Sequence, residues 1–168
     1  NRLAMYKAQL LREVSGDAFG TDRLAFLKSC AMEMTIFTAT EQHLPRVLDL
    51  VKRANRMSPV SPGMLMAGEV DVEKVETYMY EGNLLVFSAK DKFGSYGLSG
   101  VMIQGADKIV KLLVISCRLQ GMGYGSYFLG HVINECDGKL LAIWVENDYN
   151  AGVRSLYEWY KFDIKIIG

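Results

Sequence analysis

The eight residues Arg118-Leu119-Gln120-Gly121-Met122-Gly123-Tyr124-Gly125 carry the sharpest chemical signal in this 168-residue chain. They lie between a strongly apolar strand pattern and a strongly helical one. Glycines let the backbone turn tightly and bring its amides against a ligand without Cβ collisions. The first N–H groups of the following helix have no intrahelical acceptor, and the helix dipole adds positive potential there. A phosphate is favoured at such a point, by roughly 0.3–1 kcal/mol per exposed charge. Arg118 can add a charge-assisted contact. The spacing is not that of a P-loop, because GxxxxGK[ST] requires a lysine after the glycines and none follows. A dinucleotide fingerprint, GxGxxG/A, is approached by Gly121, Gly123 and Ser126, with Glu146 after the next strand in the place of the ribose-binding acid. Against it stand the serine in third position and the motif's late place in the chain. A glycine-rich turn with no ligand is a further alternative.

The remaining reactive residue types are scattered. Cys30, Cys117 and Cys136 form no CxxC pair and no metal-ligand spacing with His43 or His131. No metal is expected, and the unpaired cysteines point to a reduced, cytoplasmic compartment. Cys117 has no His or acid close by in sequence and reads as a buried, inert thiol. His131 reads as structural. Nineteen Lys and Arg balance nineteen Asp and Glu, so the net charge is zero. That excludes the basic excess of a nucleic-acid binder and the polybasic patch of a membrane-surface protein. With half its residues apolar, the chain has material for a core and is not disordered. The longest apolar run, Leu140 to Val145, is six residues, against about 20 for a bilayer span. The chain opens at Asn1 without an initiator Met or a leader, and reads as a piece of a longer polypeptide or a tag-trimmed product.

The elements that must position the loop are set by periodicity. In residues 1–32, Leu3, Met5, Tyr6, Leu10 and Leu11 mark a helix ending near Gly16. After the polar break Gly16–Thr21, a second helix is expected over Asp22–Met32. These 32 residues read as an interdomain connector or as a lid on the domain that begins at Glu33. Met34, Ile36 and Thr38 share one face of a strand. Thr40 is a plausible N-cap, and Leu44, Val47, Leu48 and Val51 recur at helical spacing until the pattern fades near Arg56. Pro59, Pro62 and Gly63 make the next stretch a loop. A helix over Asp71–Tyr80 buries Val72, Val75 and Met79. Strands are expected at Leu84–Ala89, Leu98–Gln104 and Lys108–Ser116, the first two flanking the turn Asp91–Gly97. A helix then runs from about Gly123 to Cys136, succeeded by strand Leu140–Val145, helix Ala151–Tyr160 and strand Asp163–Ile167. The order β-α-α-β-β-β-α-β-α-β over residues 33–168 predicts an α/β (α+β) domain. Its mixed, mostly antiparallel twisted sheet is flanked by helices.

The segment Arg118 to Gly123 resembles the [QR]xxGx[GA] loop of the GCN5-related N-acetyltransferase (GNAT) superfamily, which cradles the pyrophosphate of coenzyme A. Downstream, Asn150 to Phe162 resembles that family's NxxAxxxYxxxGF segment, with Asn150 and Tyr157 in place, Val153 for the usual Ala and Lys161 for the usual Gly. The strand order fits from Glu33 onward, about 135 of the 168 residues. The resemblance implies a GNAT fold binding acetyl-CoA or another acyl-CoA. The backbone of Val114 and Ile115 would hold the pantetheine arm. Residues Arg118, Leu119, Gln120, Gly121, Met122, Gly123, Tyr124, Gly125 and Asn150 would hold the rest of the cofactor, and Tyr157 would protonate the departing thiolate. A tyrosine with pKa about 10 is protonated at neutral pH, whereas a thiol's is about 8.5, so the proton transfer is permitted.

Within that superfamily, Arg2–Tyr6, Asn55 in Arg53–Arg56, the turn Asp91–Gly97, Ile115–Arg118 and Asn150–Arg154 look like the C-terminal part of FkbH-like proteins. There a haloacid-dehalogenase-type (HAD) phosphatase domain precedes a GNAT-like domain on the same polypeptide, and a glyceryl unit is loaded onto an acyl carrier protein. The resemblance implies a carrier-protein phosphopantetheine as partner, in polyketide-type or other secondary-metabolite biosynthesis. The strand Lys108–Ile115 holds no acid to serve as general base; FkbH-like relatives often carry one about where Lys111 stands. Glu33, His43, Asp91 and Glu146 are the other candidates for that role. A thiol acceptor needs a base less, being already a few per cent thiolate at pH 7. Two readings result: an acyltransferase, and a degenerate module that binds pantetheine or docks a carrier protein for a HAD-type partner domain.

Overall fold

A computed structural model describes residues 2–18, 22–53, 65–66, 69–70, 72–119, 121–135 and 141–142. The apolar alternations become a five-stranded sheet in the order β1-β4-β5-β6-β7, where β1 is Glu33–Thr38, β4 Leu84–Asp91, β5 Gly94–Gln104, β6 Ile109–Ile115 and β7 Leu141–Ala142. The first four strands pair antiparallel, and β6 pairs with β7 in parallel through Ile109–Leu141 and Val110–Ala142. This is the mixed, mostly antiparallel sheet that the sequence predicts. A parallel pair needs a crossover. Helix α5, Tyr124–Glu135, supplies it, so the glycine-rich loop necessarily lies at the end of β6.

Each face of the sheet has its own core. On one side Phe87, Met102, Leu113 and Ile115 pack against Phe128, Leu129 and Val132 of α5, together with Ala8 of α1 (Arg2–Ala18) and Phe26 of α2 (Arg23–Ser29). On the other, Val86, Val101, Ile103, Leu112 and Val114 pack against α3 (Leu44–Arg53) and α4 (Val72–Tyr80). Val47, Leu50 and Val51 of α3 are buried, as are Val75 and Met79 of α4, which is the spacing that marked both helices. Val72, expected inside, is half-buried. Ahead of α3, a one-turn 3₁₀ helix, Glu41–His43, starts at Thr40. His43 Nδ1 accepts the Thr40 N–H at 3.0 Å, closing that turn.

Several boundaries differ from expectation. Helix α1 continues through Gly16 to Ala18, and α2 stops at Ser29, before Ala31 with its left-handed φ of 51°. A two-stranded hairpin, β2 (Leu65–Met66) with β3 (Glu69–Val70), comes after the proline-containing stretch. The strands β4 and β5 run through most of the expected Asp91–Gly97 turn, which shrinks to Lys92-Phe93. The reason is Asp91, whose Oδ1 accepts the N–H groups of Phe93 at 2.9 Å and Gly94 at 3.3 Å and so folds the chain back at once. The register shifts at Phe87/Ser88 and Ala89/Lys90 absorb the misfit instead. The helix and strand expected over 151–160 and 163–167 lie outside the described residues.

Candidate functional site

From the last paired residue of β6, Ile115 opposite Gly100, the chain enters a one-turn 3₁₀ helix, Cys117–Leu119, and then the turn Gly121–Gly123 that opens α5. Its apolar side chains anchor it: Leu119 is 1 % exposed, Met122 7 % and Tyr124 4 %. With those side chains inward, the main chain at Gly121 and Gly123 faces solvent, at φ 73° and 87°. That backbone region costs an L-residue about 1–2 kcal/mol, and around Gly123 a Cβ would meet nothing within 4 Å. The first bond of the new helix is Tyr127 N–H to Gly123 C=O at 3.0 Å. The amides of Gly123, Tyr124 and Gly125 therefore precede the helix's own ladder. By contrast, Leu119 N–H is engaged by the Ser116 carbonyl and Met122 N–H by that of Leu119.

Beside these amides is an open cleft of about 330 Å³ lined by Met32, Met34, Met122, Gly123, Tyr124 and Tyr127. Its methionines and aromatic rings adapt to apolar surface, and its glycine edge presents main chain. An exposed, uncrowded amide turn at a helix start fits a pyrophosphate, and the apolar cleft fits the uncharged parts of a nucleotide-bearing carrier. Val114 and Ile115 have buried side chains, so only their backbone could serve a ligand. Asn150, Tyr157 and Gln120 lie outside the described residues, as does Glu146.

The candidate bases are not brought together. Glu33 is exposed and paired with Lys90 at 2.8 Å, while His43 closes the turn before α3. Asp91 is buried: its carboxylate also accepts the Tyr96 hydroxyl at 3.1 Å and faces Arg12 Nη1 at 3.6 Å. Such a fully engaged carboxylate holds structure. Lys111 Nζ lies 3.3 Å from Asp107 and over the Tyr78 ring, and those two partners raise its pKa against an opposing effect of burial. Cys117 is exposed, not buried as expected, because the 3₁₀ turn that sends Leu119 inward leaves it at the surface. His131 is exposed on α5. Among the described residues no three His, Cys, Asp or Glu side chains are grouped to hold a metal ion, and no helix is long and apolar enough to cross a membrane.

Sequence reasoning gave no sign of the arginine behind the loop. Arg12, on α1, is 5 % exposed, and its Nη2 donates to the Arg118 carbonyl at 2.6 Å. Its partners lie far away in sequence, so no local pattern could have flagged it.

The hydroxyl of Tyr124 donates to the Lys90 carbonyl at 3.2 Å. Burial, reinforced by the Asp91 charge, pushes its pKa up to about 12; burial raises that of Tyr96 as well. In the unfolded chain both ionise near pH 10. Between pH 10 and 12 the folded state thus holds more protons, and stability falls as pH rises through that window. Urea titrations from pH 8 to 12 are expected to show this loss, and Tyr124→Phe should flatten part of it. An identical slope in the variant would refute the assignment.

The overall fold is similar to that of known acetyltransferase structures. The ribosomal-protein-S18-alanine N-acetyltransferase of Escherichia coli superposes with a TM-score of 0.56 at 19 % identity, over 79 % of each chain. A ribosomal-protein-alanine N-acetyltransferase from Brucella melitensis gives 0.52 at 20 % identity, over 74 % of this chain and 82 % of that one. An aminoglycoside N-acetyltransferase in complex with CoA gives 0.52 at 12 % identity, over 82 % and 94 %. No family sequence model and no curated protein sequence matches the chain. At these identities the likeness establishes the fold: the chain has the GNAT fold.

Proposed function

We propose that this protein is an acyltransferase that takes its acyl group from a coenzyme A or carrier-protein thioester. The observation that carries this reading is the solvent-exposed glycine turn at Gly121 and Gly123 that leads into the start of α5, in a fold shared with acetyltransferases. The amides there would hold the pyrophosphate, Arg118 would add charge, and the backbone of Val114 and Ile115 would guide the pantetheine arm. The thioester supplies an activated acyl carbon. Tyr157 Oη would give its proton to the departing sulfur. The glyceryl group, the acyl-carrier-protein acceptor, a HAD-type phosphatase domain on the parent polypeptide, secondary-metabolite biosynthesis and a cytoplasmic setting are the finer parts of this proposal. They rest on the FkbH-like sequence resemblance. The division into a helical connector or lid, 1–32, and an acyltransferase domain, 33–168, is a further part of the proposal and rests on the change of sequence pattern at Glu33.

One observation favours a second reading. Strand β6 offers no carboxylate, and its single polar side chain, Lys111, is occupied by Asp107 and Tyr78. A module that binds pantetheine or docks a carrier protein, without chemistry of its own, would look the same. Calorimetry with CoA and then a thioester-consumption assay separate the two. Under the first reading CoA binds, thioester is consumed with holo-carrier protein as acceptor, and Tyr157→Phe slows turnover about tenfold at unchanged CoA affinity. The effect sits below the usual general-acid range of about 10²–10⁴ because a thiolate leaves readily. Binding without turnover in any acceptor panel selects the second reading. Failure to bind either CoA or holo-carrier protein removes both.

A further inference from the structure

The geometry points to α1 as a clasp on the anion loop, with Arg12 and Tyr6 as positioning residues for Arg118. This inference rests on the proposed ligand only for its consequence, not for its mechanics. Arg118 is held at both ends by the same helix. Its carbonyl accepts a hydrogen bond from Arg12 Nη2 at 2.6 Å, and its guanidinium lies 4.8 Å from the centre of the Tyr6 ring. Tyr6 and Arg12 are six residues apart on α1 and so reach two different parts of one residue.

Arg12 is itself fixed from behind. Its guanidinium sits 4.9 Å from the centre of the Tyr96 ring, and Nη1 faces Asp91 Oδ2 at 3.6 Å without forming a hydrogen bond. Asp91 is in turn locked by Tyr96 and the hairpin amides. The chain of contacts runs from the β4–β5 hairpin through Arg12 to the first residue of the loop. A charge this deeply buried is costly unless it is paired and hydrogen-bonded, and here the Arg118 carbonyl, Asp91 and the Tyr96 ring hold the Arg12 guanidinium. The loop inherits that geometry at its first carbonyl, before any glycine. A glycine-rich segment has more conformations to lose than any other, so anchoring its leading residue reduces the ordering a ligand must impose. The Tyr6 stack acts on the other end, keeping the Arg118 charge beside the loop and not free in solvent.

The test compares Arg12→Lys, Tyr6→Ala and Tyr6→Phe by amide hydrogen exchange in the absence of ligand, then by CoA titration. Arg12→Lys keeps the charge facing Asp91 and loses the planar fork. Tyr6 is 57 % exposed, so its truncation leaves the core intact and keeps the experiment informative if the Arg12 variant fails to fold. The amides of Leu119 and Met122, which the Ser116 and Leu119 carbonyls engage, are expected to exchange about tenfold faster in Arg12→Lys and Tyr6→Ala, with the strands unchanged. Tyr6→Phe, which keeps the ring, restores the protection. The dissociation constant for CoA rises about tenfold in Tyr6→Ala. Wild-type loop exchange in Tyr6→Ala, or an acceleration spread evenly over the sheet, would overturn the clasp. A wild-type protein that ignores CoA, with the exchange pattern as described, would sink the ligand assignment and leave the clasp standing.

Discussion

Gly123→Trp should lower CoA affinity by about 10²-fold or more, measured by calorimetry on folded protein. The backbone at this residue has φ 87°, a Cβ there would meet nothing within 4 Å, and Gly123 lines the cleft together with Met32, Met34 and Tyr127. An indole placed there covers the Tyr124 and Gly125 amides. Hydrogen bonds to a charged partner contribute about 1.5–3 kcal/mol each. Losing two removes about 3–6 kcal/mol, which is two to four decades of affinity. Gly123→Ala is the matched control. It carries the same backbone cost of about 1–2 kcal/mol but has no bulk, because nothing lies within 4 Å of its Cβ. The alanine protein should therefore melt a few degrees lower and still bind CoA within a few-fold. If tryptophan leaves affinity unchanged, the ligand does not sit on this loop. If alanine is as damaging as tryptophan, the loop acts through its stability and not as a cradle.

The site's main chain was legible in the sequence for a reason that its side-chain support was not. Glycines at 121, 123 and 125 after an apolar strand signal a turn whose form depends on local sterics alone. The helical faces of α3 and α4 were legible likewise, since Val47, Val51, Val75 and Met79 announce themselves by spacing. The packing of α1 runs opposite to such a signal. Leu3, Tyr6, Leu10 and Leu11, which mark it as a helix, are all more than half exposed, while Arg12 is inside. That arrangement depends on Asp91, Tyr96 and the Arg118 carbonyl, groups that only the folded chain assembles. The tight β4–β5 turn has the same origin. Gly94 and Gly97 look like turn residues, and a buried carboxylate turns the chain three residues before Gly94 is needed. Strands of two residues, such as β2 and β3, are too short to carry a period at all.

The second large effect lies beneath the site. Gly100→Ala is expected to destabilise the protein by about 3 kcal/mol, toward the upper end of overpacking costs. Gly100 sits mid-sheet, opposite Phe87 on β4 and Ile115 on β6. A Cβ there would overlap Phe87 Cε1 and Cδ1 and come within 2.7 Å of Cζ. The ring cannot yield easily, because Phe87 is fully buried. It stands edge-on to Phe128 at 5.0 Å and parallel to Tyr124 at 6.1 Å. For a domain of this size, 1 kcal/mol corresponds to about 2–4 °C, so the melting temperature should fall by about 6–12 °C. Moving Phe87 also moves Tyr124, the first residue of α5, and with it the amides that begin the candidate site. CoA affinity should therefore fall along with stability, although Gly100 itself is buried in the sheet. Adding Phe87→Leu to Gly100→Ala should recover part of the melting temperature by freeing the space the methyl needs. It should not recover the affinity, because the ring that seats Tyr124 is gone. A Gly100→Ala protein melting within about 2 °C of wild type would show that the bare strand position is not what admits the ring.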